Sequence, residues 1–171
     1  MNELDSRRFV GLMSRAGYAE STSAAEADLL LLNTCSVRDK AEQKVYDALG
    51  RFGLLKKARP GIVIGVCGCV AQQEGHDLLE RSPYVDFVLG TGRIEFLPTI
   101  VARVIEEGDR PVEVGFDPDD VAYTPAAVAR EVKHKASITV IEGCNKNCTF
   151  CVVPTTRGRE RSRRLADVVA E

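Results

Sequence analysis

Three short apolar runs, each followed by residues with helical spacing, limit the folds open to this chain. The runs at 28–34 (DLLLLNT), 62–66 and 85–89 are brief and almost wholly apolar, as strands buried on both faces are. Between the first two, 37–57 carries Val45, Ala48, Leu49 and Phe52 at helical spacing, with Ser36 as a candidate N-cap. Shorter helices are predicted over 71–81 and 94–107. A further helix is predicted over 3–18, where Leu4, Phe9, Val10, Leu12 and Met13 fall roughly on one face and Gly17 can end it; no strand precedes it. This alternation predicts an α/β fold, a parallel sheet with helices on both faces. Such sheets gather ligand groups at the carboxyl ends of their strands. Cys35 sits just past the first run and Cys69 just past the second.

After Gly108 the pattern changes. Pro111, Asp117, Pro118, Asp119, Asp120 and Pro125 interrupt any regular element, so 1–108 reads as one domain and 109–134 as a linker. The segment 135–171 reads as the beginning of a second domain, with a β-branched strand at 137–141 (SITVI) running into GCNKNC. No apolar run approaches the ~20 residues that cross a bilayer, and the first residues lack the basic-then-apolar order of a secretory signal. We therefore expect a cytoplasmic protein with no membrane association, acting as a monomer. In a reducing compartment six cysteines point to metal ligands or reactive thiols rather than disulfides. The net charge of −2 hides a basic run: Arg157, Arg159, Arg161, Arg163 and Arg164 stand against Glu160 alone, +4 locally and −6 elsewhere. A polyanion would meet this end.

Cys144, Cys148 and Cys151 in GCNKNCTFC have the spacing of a cluster loop. A cubane has four irons, and four thiolates usually complete it. Three leave one iron open, free to chelate the amino and carboxylate groups of S-adenosylmethionine. Gly143, Asn145 and Asn147 suit the tight backbone that wraps such a cluster. Zinc is the competing ligand, but it usually takes four donors in paired sets, and no second pair lies nearby. His76 and His134, the only histidines, read as surface or core residues. Cys67 lies two residues before Cys69, so in an extended strand both would point the same way and Cys67 could substitute as a ligand; the plainer reading is a small core residue.

The run 143–163 (GCNKNCTFCVVPTTRGRERSR) resembles the cluster loop of the radical S-adenosylmethionine methylthiotransferase family. MNELDS at the start is similar to that family's GCQMNxxDS stretch, and NTCSVRDKAEQK and GCVAQQEG to its next two cysteine motifs. Together these matches cover essentially the whole chain. The resemblance implies two 4Fe-4S clusters: one at Cys144, Cys148 and Cys151 that binds S-adenosylmethionine, and an auxiliary one using Cys35 and Cys69. The family's first auxiliary ligand would lie two positions before Met1, so that cluster is expected to lack a ligand in this chain. Phe150 matches the position whose backbone lies near the adenine of S-adenosylmethionine, against a plainer reading as packing under the loop.

The implied activity is the addition of a methylthio group to carbon 2 of N6-dimethylallyladenosine beside the anticodon of tRNA. A deoxyadenosyl radical abstracts the hydrogen there, and sulfur is delivered from the auxiliary cluster. No side chain is assigned as a general base, and an electron donor is implied as a partner. The arginine run contacts tRNA phosphates on one reading and pairs with carboxylates on the other. Since the resemblance implies a longer barrel and a further RNA-binding domain, the chain alone is expected to be inactive. Sister enzymes acting on threonylcarbamoyladenosine or on a ribosomal-protein aspartate stay open, as do a zinc-bound RNA-interaction module and an inactive fragment.

Overall fold

The computed structural model describes residues 2–36, 39–116 and 137–171. Helix α1 (Asn2–Arg15) leads into strand β1 (Leu29–Thr34), and α2 (Asp39–Ala58) crosses to β2 (Val63–Gly68). Two short helices, α3 (Cys69–Glu74) and α4 (His76–Arg81), lead to β3 (Phe87–Leu89). A 3-10 turn at Ile94–Phe96 then feeds α5 (Leu97–Glu107), with Pro98 in its first turn, where a missing N–H costs nothing. The three strands pair in parallel in chain order, as the alternation predicts.

Side-chain alternation along β2 and β3 sorts the core into two layers. Ile64, Val66 and Val88 face Val45 and Leu49 of α2, Val70 and Ala71 of α3 and Leu78 of α4. Cys67, Phe87 and Leu89 face Phe9, Leu12 and Met13 of α1 and Leu97, Ile100, Val101 and Val104 of α5. Gly65 lets β2 pass the Phe87 ring, since a Cβ there would stand 2.1 Å from Phe87 Cζ. Among the described residues no helix is long and apolar enough to cross a membrane.

The structure corrects four sequence expectations. Val112–Glu113, assigned to the linker, forms a fourth strand, β4, parallel to β3, so the sheet runs past the boundary expected at 108. The helix expected over 71–81 begins earlier, at Cys69, and breaks at Gly75, whose φ is +51°. The strand expected over 137–141 is reduced to β5 (Ile141–Glu142), antiparallel to β6 (Arg161–Ser162). Between and after these lie α6 (Val153–Arg157) and α7 (Leu165–Ala170). Finally, the extended geometry assumed for Cys67 through Cys69 is broken at Gly68, whose φ is +95°. The expected start of α2 at 37, the linker residues Asp117, Pro118, Asp119, Asp120 and Pro125, His134, and the domain start at 135 fall outside the described residues.

Candidate functional site

The carboxyl edge of the sheet is built by one hydroxyl. Register pairs Thr34 with Gly68, so Cys35 and Cys69 each follow the last residue of neighbouring strands. Thr34 is buried, and its Oγ1 donates to Cys67 O at 2.6 Å while accepting from Val70 N at 3.1 Å and Ala71 N at 3.4 Å. It thereby caps α3 from the adjacent strand, a task Gly68, with no side chain, leaves undone. Gly68 itself has Thr34 O 2.4 Å from where a Cβ would stand. Its positive φ turns the chain so that Cys67 and Cys69 face different surroundings. Cys67 is wholly enclosed in the α1–α5 layer, where burial pushes its thiol up, and Cys69 opens α3 at the edge.

The second set lies on one loop. Cys144 N donates to Gly158 O at 3.1 Å and Cys151 N to Cys148 O at 3.1 Å, closing the base and the far turn. Gly143 has φ +72°, and a Cβ there would stand 2.1 Å from Arg159 O. Asn145 Oδ1 accepts from Glu160 N at 3.0 Å, so the asparagine ties the loop to the strand that returns beside it. All six cysteines are free thiols. Cys144 and Cys151 are half-buried, and Cys148 is exposed.

Lys146 N donates to Cys144 Sγ at 3.4 Å. The hydrogen bonds a sulfur receives help set the potential of a cluster it holds. The donor set and this bond fit an iron-sulfur cluster at Cys144, Cys148 and Cys151. The edge fits in part: it offers Cys35 and Cys69 together with a buried cation beside the latter. Among the described residues no three His, Cys, Asp or Glu side chains converge closely enough to hold a single metal ion. Phe150 is 95% exposed, so it does not pack under the loop. His76 is exposed at the start of α4.

The two sets are joined by charges that sequence reasoning missed. Helix α6 packs on α3, and Thr91 Oγ1 donates to Thr156 O. Arg157, only 9% exposed, donates to Asp5 Oδ2 of α1 at 2.5 Å. Burial lowers the basicity of this guanidinium, but the Asp5 carboxylate and then Cys69 outweigh it, leaving Arg157 firmly protonated. Arg8, also buried, reaches Glu95 at 2.6 Å, Glu142 at 3.6 Å and Asp5 at 3.9 Å. The basic run is therefore divided. Arg161 and Arg163 pair with Glu142 and Glu171, whereas Arg159 and Arg164 are exposed.

The model of the uncharacterized protein family UPF0004 matches residues 1–90, more than half of the chain. The chain belongs to family UPF0004. The matched span contains Cys35 and Cys69, together with the strands that carry them. Curated relatives of this UPF0004 chain extend the likeness through the cysteine loop. The tRNA-2-methylthio-N(6)-dimethylallyladenosine synthase of Anaeromyxobacter dehalogenans is 51% identical over 173 positions, covering 100% of this chain and 37% of its own length. Proteins of the same name from a Sulfurihydrogenibium species and from Aeromonas hydrophila are 44% and 46% identical, again over 100% of this chain, and 39% and 36% of their own length is covered. The chain thus spans under two fifths of these relatives. Their names bear out the methylthiotransferase resemblance read from the motifs.

Proposed function

We propose that this chain is part of a tRNA methylthiotransferase that places a methylthio group on carbon 2 of N6-dimethylallyladenosine beside the anticodon. The observation that carries this reading is the 51% identity, over the whole chain, to a synthase named for that product. Cys144, Cys148 and Cys151 would hold a 4Fe-4S cluster, and Cys35 and Cys69 would contribute to a second. Bound there with S-adenosylmethionine, the first would supply one-electron reductive cleavage and the second a sulfur source.

The chain's own residues prepare these sites. Gly143 lets the loop fold back against Arg159, and Lys146 N–H holds the Cys144 sulfur. Cys148 stays open to solvent, where a cluster would be reached by its ligand and by an electron donor. Arg159 and Arg164, exposed beside the loop, are suited to tRNA phosphates, a contact that weakens as salt rises. Phe150, exposed between Cys148 and Cys151, would have its backbone near the adenine of S-adenosylmethionine. We place the enzyme in the cytoplasm as a monomer.

Two cysteine substitutions test the reading in the full-length protein, reconstituted anaerobically with iron and sulfide. Cys148→Ala should abolish S-adenosylmethionine cleavage. Cys35→Ala should leave cleavage intact and lose thiolation. Equal loss of both activities in both variants would contradict the division of labour. Stoichiometric zinc with no iron would sink the enzyme assignment itself.

A further inference from the structure

Phe116 is an aromatic side chain that belongs to neither layer of the core. Half-buried, it lies just past β4, where Gln72 Oε1 accepts from Gly115 N at 3.2 Å and holds the backbone. Its ring stands between two glycines. A Cβ on Gly92, in the turn after β3, would be 2.6 Å from Phe116 Cδ1 and 2.4 Å from Gly115 O. Gly92 has no left-handed φ, so this close approach, rather than the backbone conformation, calls for glycine. On the other side, a Cβ on Gly158 would be 3.1 Å from Phe116 Cγ and Cδ1. Gly158 O in turn accepts from Cys144 N. Contacts thus run from the sheet through one ring to the base of the cysteine loop. Thr91 Oγ1, donating to Thr156 O, ties the same turn to α6.

We infer that Phe116 is a positioning residue for the cysteine loop: seated against Gly92, its ring supports Gly158, and Gly158 O fixes the backbone of Cys144 before any metal arrives. The physical basis is preorganisation. A loop that must be ordered when its metal binds gives up part of the binding free energy to that ordering, and a loop already held does not. A flat ring between two glycines suits the task, since it brings a large apolar area with few side-chain torsions to restrain. This support is independent of the cysteines at the sheet edge. That the loop's metal is an iron-sulfur cluster rests on the proposed reading of Cys144, Cys148 and Cys151.

The test follows amide hydrogen exchange in the metal-free full-length protein, resolved at Cys144 and along β2. Phe116→Ala should speed exchange of the Cys144 N–H about tenfold more than that of Ile64 and Val66. Phe116→Tyr should stay near wild type, and Phe116→Leu, a milder change, should fall between. A Cys35→Ala background then lets iron be counted at the loop, where Phe116→Ala should hold about threefold less than Phe116→Tyr against a competing chelator. A side chain that only stabilises the fold would speed exchange at Cys144 and β2 equally, and that result overturns the proposal. So does unchanged exchange at Cys144 in both Phe116→Ala and Phe116→Leu, or undiminished iron uptake despite faster exchange. Zinc in place of iron in wild-type protein would remove the enzyme reading alone: faster exchange at Cys144 with weaker zinc uptake in Phe116→Ala would still support the role of the ring.

Discussion

Thr34 and Gly143 carry more of the site than their chemistry suggests. Thr34 offers one hydroxyl to three backbone groups at the point where β1 and β2 end, so its loss strands two buried N–H groups at the start of α3. Thr34→Val should destabilise the protein by about 1–2 kcal/mol, read from the urea midpoint, and Thr34→Ser should recover most of it. Gly143→Ala should lower iron uptake at the loop after reconstitution, because the backbone at Arg159 blocks a side chain and the φ is left-handed. Full iron content in that variant would mean that the returning strand gives way. Gly143 was legible in the sequence as a residue of a tight loop. Its obstacle was not, since Arg159 comes opposite it only after the chain has turned back.

At the scale of elements, β1, β2 and β3 were readable because each is an apolar run bounded by turn residues. Strand β4 was hidden: two residues after Pro111, one of them charged, present no periodicity, and it forms because β3 offers an open edge. The break at Gly75 had a visible signal in the glycine itself, and the early start of α3 at Cys69 had none, since its cap comes from another strand. The pairing of β2 with β3 makes its own prediction. Gly65→Ala would drive a methyl into the Phe87 ring and should cost about 1–3 kcal/mol of unfolding free energy. Phe87→Leu in the same chain should relieve part of that, a coupling that a double-mutant cycle in urea measures.

For the whole molecule, the contacts that matter most join residues far apart in sequence. Arg157 and Asp5 are 152 positions apart, and Arg8 and Glu95 are 87 apart. No spacing rule points to such pairs, so composition revealed the arginines without revealing which would be buried. Arg8→Met should leave Glu95 and Glu142 without this cation and cost about 3–5 kcal/mol, with faster hydrogen exchange at Ile141–Glu142 and Arg161–Ser162. Unchanged exchange there would show that β5 and β6 hold without the network. The pairing of Thr34 with Gly68 has a different consequence. Strand spacing, about 4.8 Å in any sheet, fixes how near the positions of Cys35 and Cys69 lie, whatever the length of chain between them. The intervening helix can gain a turn, lose one or acquire a new surface without altering that separation, so lineages can remodel α2 while the neighbouring thiols keep their place.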